Sequence, residues 1–248
     1  MISAFPETAI FLTILAIFLL AGIVKGSLGI GLPAVVMAIF PIVAEPALGV
    51  ALLALPIIAA NGTQFLTVKG WPATLRRFRV AGISVAVTIF VVVQFVDDVP
   101  ARAINIAVGV SLVLFALTSL LRFEFRMTDH AAWQALVGIA AGLIGGVSAV
   151  KAPIMIYTIG LKLPREEFIC AAGFLFFMGG VGLTLGTLNA ALLNTVTTLL
   201  SLICCAVALT GFRIGTIIRK RLSDKVFQTT ILWVILALGL RLIVTNGL

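Results

Sequence analysis

The chain has 248 residues, of which 62% are hydrophobic and only 10% are charged, with a formal net charge of +8 and a mean hydropathy of +1.26. Soluble domains carry about 25% charged residues; too few are present here to clothe a water-facing exterior, so lipid is the main solvent. A basic excess would suggest nucleic acid in a soluble protein. Here the basic residues gather in two short loops, 69–79 and 213–225, where cytoplasm-facing positive charge and anionic lipid headgroups account for them without any nucleic acid.

From the N-terminus, no Lys or Arg precedes Lys25, so the first apolar run lacks the basic start of a cleaved signal and is expected to remain in the chain. Asp, Glu, Lys, Arg and His are absent from 26–44, 46–68, 80–96, 103–121, 131–150, 168–212 and 226–240. Crossing a bilayer takes roughly 20 apolar residues as a helix. The run 168–212 is long enough for two spans, with a break expected near 189–194, where Asn189 and Asn194 sit among small residues. These runs lack the alternation of a barrel strand, so the spans are predicted to be helices.

The first half is echoed in the second. Ala21-Gly22-Ile23-Val24-Lys25-Gly26, followed by Pro33, matches Ala141-Gly142-Leu143-Ile144-Gly145-Gly146, followed by Pro153. The basic loops fall at non-equivalent places of this repeat. If both face the cytoplasm, the halves run oppositely through the membrane, as in many secondary transporters. Residues 9–24 and 30–43 are each too short to span comfortably. The expected fold is therefore all-α and polytopic. It comprises two inverted repeats, 1–125 and 126–248, each a V-shaped re-entrant broken helix followed by three transmembrane helices. Five full crossings per half satisfy the same parity. Both chain ends are then non-cytoplasmic.

The breaks carry the functional argument. Gly26, Ser27, Gly29, Gly31 and Pro33 would interrupt a helix, as would Gly146, Ser148 and Pro153, since Gly costs about 1 kcal/mol and Pro about 3 relative to Ala. Broken backbone at membrane depth survives only where protein or a wet cavity surrounds it. A restarting half-helix offers free N–H groups to an anion. Lys25 and Lys151 adjoin the breaks with no acidic residue close by in sequence; a bound anion would offset the cost of a buried ammonium, and snorkelling to the headgroups would avoid it. Asn61 and Gln64, one turn apart, could donate amide N–H groups to an oxyanion or hydrogen-bond between helices. Cys170, Cys204 and Cys205 read as packing residues. His130, Glu166, Glu167 and Arg241 read as helix-end residues. No catalytic triad, metal-ligand cluster, phosphate loop or cofactor motif is visible, which argues against an enzyme.

The Gly-rich break ending in Pro and repeated in both halves, the stretch Pro46-Ala47-Leu48-Gly49-Val50-Ala51-Leu52, and the run from Asn61 to Gly70 with Asn and Gln at this spacing together resemble the sulfite exporter TauE/SafE family of membrane permeases. The resemblance implies a cytoplasmic-membrane transporter, often an exporter, of sulfite, an organosulfonate or a related small organic anion. It places the candidate site at residues 26–33, Asn61, Gln64 and residues 146–153. Lys151 departs from it, since the family more often has a small residue there. A coupling ion stays open, as do two other functions, a non-transporting membrane scaffold or assembly factor and an anion channel.

Charge placement yields one direct test. A cysteine introduced at Asp97 should react with an impermeant thiol reagent applied to intact cells, and one at Arg77 should not. Labelling at Arg77 alone would reverse the orientation.

Overall fold

Residues 6–29, 31–121, 126–219 and 224–247 are described in a computed structural model. Ile30 of the first break, residues 122–125 at the expected junction of the halves and residues 220–223 of the second basic loop lie outside the described residues. The described chain is helical: α1 (Thr8–Leu28), α2 (Leu32–Ile39), α3 (Pro46–Leu52), α4 (Ala54–Thr67), α5 (Trp71–Val93), α6 (Ala101–Leu121), α7 (Ala131–Ser148), α8 (Ala152–Gly160), α9 (Arg165–Asn189), α10 (Thr195–Arg219) and α11 (Asp224–Gly247). Six of these, α1, α6, α7, α9, α10 and α11, contain segments long and apolar enough to cross a membrane. The pair α3 and α4, bent by 40°, makes a seventh when taken as one span. Helix α5 carries Arg76, Arg77 and Arg79 in its opening turns and runs apolar from Val80. The break expected near 189–194 separates α9 from α10.

Both glycine-rich breaks are present, but narrower and later than their sequences suggest. Helix α1 continues through Lys25, Gly26 and Ser27 and stops at Gly29, which takes a left-handed φ of 80° while its N–H bonds to the Lys25 carbonyl at 2.7 Å. Gly31 follows at φ 103°, and α2 restarts with Pro33 in its first turn, where a missing N–H costs nothing. Helix α7 likewise runs through Gly145, Gly146 and Ser148. It stops at Ala149, φ 58°, before α8 restarts with Pro153 in its first turn. An alanine held left-handed costs about 1–2 kcal/mol that glycine would not. The expectation that 9–24 is too short to span is thus corrected: α1 has 21 residues, long enough at about 1.5 Å each, because it does not end at its glycines. Each break joins a long helix to a short one, α2 having 8 residues and α8 having 9.

The glycines inside helices serve contact. A Cβ on Gly22 or Gly26 of α1 would strike the Ala208 or Phe212 carbonyl oxygen of α10, and one on Gly211 or Gly215 of α10 would strike those of Leu19 or Ile23. Across α5 and α7, Gly138, Gly142 and Gly146 abut Ser84, Thr88 and Val92. In α6 and α11, Gly109 and Gly239 face each other's carbonyl oxygens. Small residues let backbones approach closely where lipid supplies no hydrophobic drive between helices. Another contact bends α5 at Phe78 (φ −105°, ψ 16°). The Gln134 amide of α7 donates to the Arg77 carbonyl at 2.8 Å and accepts from the Ala81 N–H at 3.2 Å, the two groups that a regular helix would join. A side chain inserted in the ladder is a recognised cause of a kink.

Gly22→Ala and Gly215→Ala should each lower the melting temperature in detergent. Overpacking costs about 1–3 kcal/mol, more than the ~1 kcal/mol that alanine gains over glycine in a helix. Gly247, with nothing near its added Cβ, is the control: its change to alanine should leave the melting temperature in place. Stabilisation by the first two would show that α1 and α10 do not meet this closely.

Candidate functional site

Among the described residues, the charged side chains that are almost wholly buried are Lys25 and Lys151, each 2% exposed. Neither snorkels, and neither meets a carboxylate. Ion pairs join Arg77, in the basic opening of α5, to Asp129, at 2.7 Å, and to Glu167.

Lys25 points from α1 to α4. Its Nζ donates to Asn61 Oδ1 at 2.8 Å and, at 3.5 Å and so more weakly, to Gln64 Oε1. The orientation of both amides is set by their other ends: Asn61 Nδ2 donates to the Ile57 carbonyl at 2.8 Å, and Gln64 Nε2 to the Ile169 carbonyl at 3.2 Å. The two amides expected to offer N–H groups outward therefore turn their oxygens to a lysine and spend one N–H each on backbone.

Lys151 is the N-cap residue of α8. Its stem lies between Gly145 of α7 and Gly179 of α9, where any added side chain would collide with it. Its Nζ donates to the Ala149 carbonyl at 3.2 Å. Beside it is a cavity of about 20 Å³, lined by Gly31, Pro33 and Ala34 from the first break, Val150 and Lys151 from the second, and Phe115 and Phe176. Both breaks thus contribute to one cavity. Neither α2 nor α8 has a side-chain N-cap bond; Pro33 and Pro153 have no N–H and the Ile154 N–H bonds to the Lys151 carbonyl at 3.2 Å, which leaves Leu32 and Ala34 in α2 and Ala152 in α8 to offer an N–H to another acceptor.

The remaining sequence candidates fall elsewhere. Gly26 and Gly146 are packing positions inside α1 and α7. Ser27 Oγ donates to the Ile23 and Gly215 carbonyls. Ser148 Oγ donates to the Ile144 carbonyl and meets Ser111 Oγ at 3.2 Å. Both hydroxyls are occupied. Gly29 shapes the end of α1, and Pro153 starts α8. His130 caps α7, its ring accepting from the Ala132 N–H. Gly179 and Phe176 went unremarked in the sequence; the Gly179-Gly180 pair inside the long run 168–212 was the available signal. Gln134 gave no signal at all. No cluster of metal-ligating side chains occurs among the described residues.

A wider cleft of about 1140 Å³ lies at the other end of α2, between the starts of α1, α3 and α6, with Glu45 and Asp97 in its wall. Val36 of α2 and Leu52 at the end of α3 are fully buried and line neither the small cavity nor this cleft.

Helices of this length around a buried cationic joint fit a membrane carrier, and the family comparison decides the class. The model of the sulfite exporter TauE/SafE family matches residues 14–242. The chain belongs to that family. This TauE/SafE protein is accordingly a multi-pass membrane transporter and not an enzyme, with a small anion as the substrate class and lipid as its surroundings. No curated protein and no solved structure matches the chain.

The amide geometry orders two substitutions by effect. Asn61→Leu removes the short, buried acceptor of Lys25 and should cost about 1–3 kcal/mol, the penalty of an unsatisfied buried polar group. Gln64→Leu, removing a 3.5 Å bond at a half-buried position, should cost less. Thermal unfolding in detergent measures both, and the reverse order would mean that Gln64 holds the lysine.

Proposed function

We propose that the chain is a secondary transporter that exports a small oxyanion, sulfite or an organosulfonate, from the cytoplasm by alternating access around the joint of the two helix breaks. One observation carries the reading: Lys151, buried and unmatched by any carboxylate, stands at the start of α8 beside a cavity that the start of α2 also lines. Two helix N-termini and an ammonium direct positive potential into one point, and low dielectric strengthens its hold on an anion.

The cavity's size supports a moving site. About 20 Å³ accommodates roughly one water, not an oxyanion, so α2 and α8 must part for loading. Packing supports the inverted-repeat plan. Helix α1 of the first half lies along α10 of the second, α7 lies along α5, and α6 meets α11. That is the reciprocal pattern expected when five elements recur about a two-fold axis in the membrane plane. On this reading the chain ends and the acidic cleft face away from the cytoplasm, and the membrane is the bacterial inner membrane.

The test is a thermal-shift and counterflow screen of purified protein with sulfite, sulfate, thiosulfate, sulfoacetate and plain carboxylates. A ligand at a hundredfold excess over Kd should stabilise by about 2.7 kcal/mol. Lys151→Met should keep the fold, since Met retains most of the stem between the two glycines, and lose transport. Lys151→Arg should keep part of it, preserving charge with another geometry. No response to any of these anions would favour a scaffold; large unitary currents without exchange would make the protein a channel.

A further inference from the structure

We infer that Lys25 is the proton carrier of this transporter: its side-chain amine binds one proton as the anion loads and releases it as the anion leaves, so that each anion crosses with a proton. The inference rests on the transporter reading above and adds the coupling ion.

Three observations carry it. First, the surroundings of Lys25 fit a neutral amine as well as they fit an ammonium. Two oxygens, Asn61 Oδ1 and Gln64 Oε1, face its Nζ, and both are held there by backbone bonds on the far side of their amides. A neutral amine has two N–H groups to give and an ammonium has three. The third proton has no acceptor among the described residues.

Second, none of the buried residues among those described is Asp or Glu, so a proton crossing with the anion here needs another base. The elements packed around Lys25 bring few candidates. Helix α4 and helix α2 have no titratable side chain. Along α10 there are Cys204, Cys205, the exposed Arg213 and, at its last residue, Arg219; on α11 there are Asp224 and Lys225 at its first two positions and the exposed Arg241 near its end; α8 contributes Tyr157, with Lys151 as its N-cap. In α9, Arg165 and the exposed Glu166 open the helix, Glu167 is paired with Arg77, and Cys170 lies against the Phe65 carbonyl at 3.9 Å. Among the buried residues described, Lys25 and Lys151 are the bases in this set.

Third, two uncancelled charges are buried at the breaks. Lys25 and Lys151 are each almost wholly buried with no carboxylate bonded to either, and burying two unneutralised charges is far costlier than burying one. A single anion at the joint supports two ammonium groups; an empty joint does not. Lys151 uses one bond, to Ala149, and keeps its other N–H groups for the cavity, whereas Lys25 has two fixed acceptors and none of the named cavity lining. The division of labour follows: Lys151 binds the anion and Lys25 carries the proton. The step balances as amine plus proton giving ammonium on loading, and the reverse on release, with no electrons moved. A monoanion then crosses as a neutral pair and a dianion with one net negative charge, so the anion's own gradient drives export while the pH gradient, alkaline side retaining the anion, sets its limit.

The experiment uses proteoliposomes of the full chain with a trapped pH dye, equal potassium and valinomycin on both sides, and thiosulfate or sulfoacetate, which stay fully ionised near neutral pH. With the lumen one pH unit alkaline, the wild type should accumulate anion about tenfold and acidify the lumen as it does so. Lys25→Arg, which cannot shed its proton, should still show thermal stabilisation by the anion and anion–anion exchange, with net uptake at least tenfold slower. Lys25→Met should move anion without responding to the pH gradient. Either variant behaving so supports the assignment, and pH-driven accumulation in either overturns it. Wild-type transport with an accumulation ratio near one and no dye response also overturns it while leaving the transporter standing. Failure of the wild type to bind or move any anion removes both.

Discussion

Hydrocarbon offers an ammonium group no solvent, and that constraint governs how the centre of this protein is assembled. Lys25 and Lys151 are buried to the same degree and are supported differently. Around Lys25 the protein supplies dipoles: two amide oxygens, each locked by a second bond from its own nitrogen to a carbonyl. Around Lys151 it supplies room, with glycines at 145 and 179 leaving a slot for the stem. Neither arrangement cancels the charge. A structural lysine would be better served by a carboxylate or by reaching a headgroup; the anion site proposed above accounts for two such groups left uncancelled.

Backbone conformation puts the lysines where they are. The left-handed residues Gly29 and Gly31 turn the chain from α1 into α2. Ala149 makes the equivalent turn from α7 into α8 and leaves Lys151 at a helix start. Alanine accepts this conformation at a cost, whereas the first break has glycine available. The two breaks thus reach one geometry by different means, and their lysines are not equivalent. Lys25 is still helical, four residues before its turn, and Lys151 lies two residues after its own. Gly145, matching Lys25 in the repeat, must stay bare because the Lys151 stem lies against it.

Much of this could be read from the chain before any fold was seen. Charge-free runs located the spans, the ordered Gly and Pro residues located both joints, and the scarcity of charge singled out Lys25, Lys151, Asn61 and Gln64. What stayed illegible depends on distant partners. A glycine in a helix and a glycine that ends one look alike in sequence, so Gly26 and Gly146 read as parts of a break although α10 and α5 need them small. The amide oxygens of Asn61 and Gln64 have no orientation until the Ile57 and Ile169 carbonyls are in place. Gln134 is one polar residue near a helix start in sequence; that it completes the bend of another helix follows only from the packing of α7 on α5.

The close approach of α1 to α10 and of α5 to α7 bears on which pieces can shift as solid bodies. Where carbonyl oxygens sit where a Cβ would otherwise be, sliding one helix along its mate drives side chains into backbone at every turn, and well-packed contacts do not deform gradually. The α7 side chain stitched into the α5 ladder adds a crossbar to the second pair. Each pair takes one helix from either half of the chain, so in the proposed alternating-access cycle the levers would be stiff hybrids of the two halves rather than the halves themselves, with the short helices α2 and α8 packed beside them.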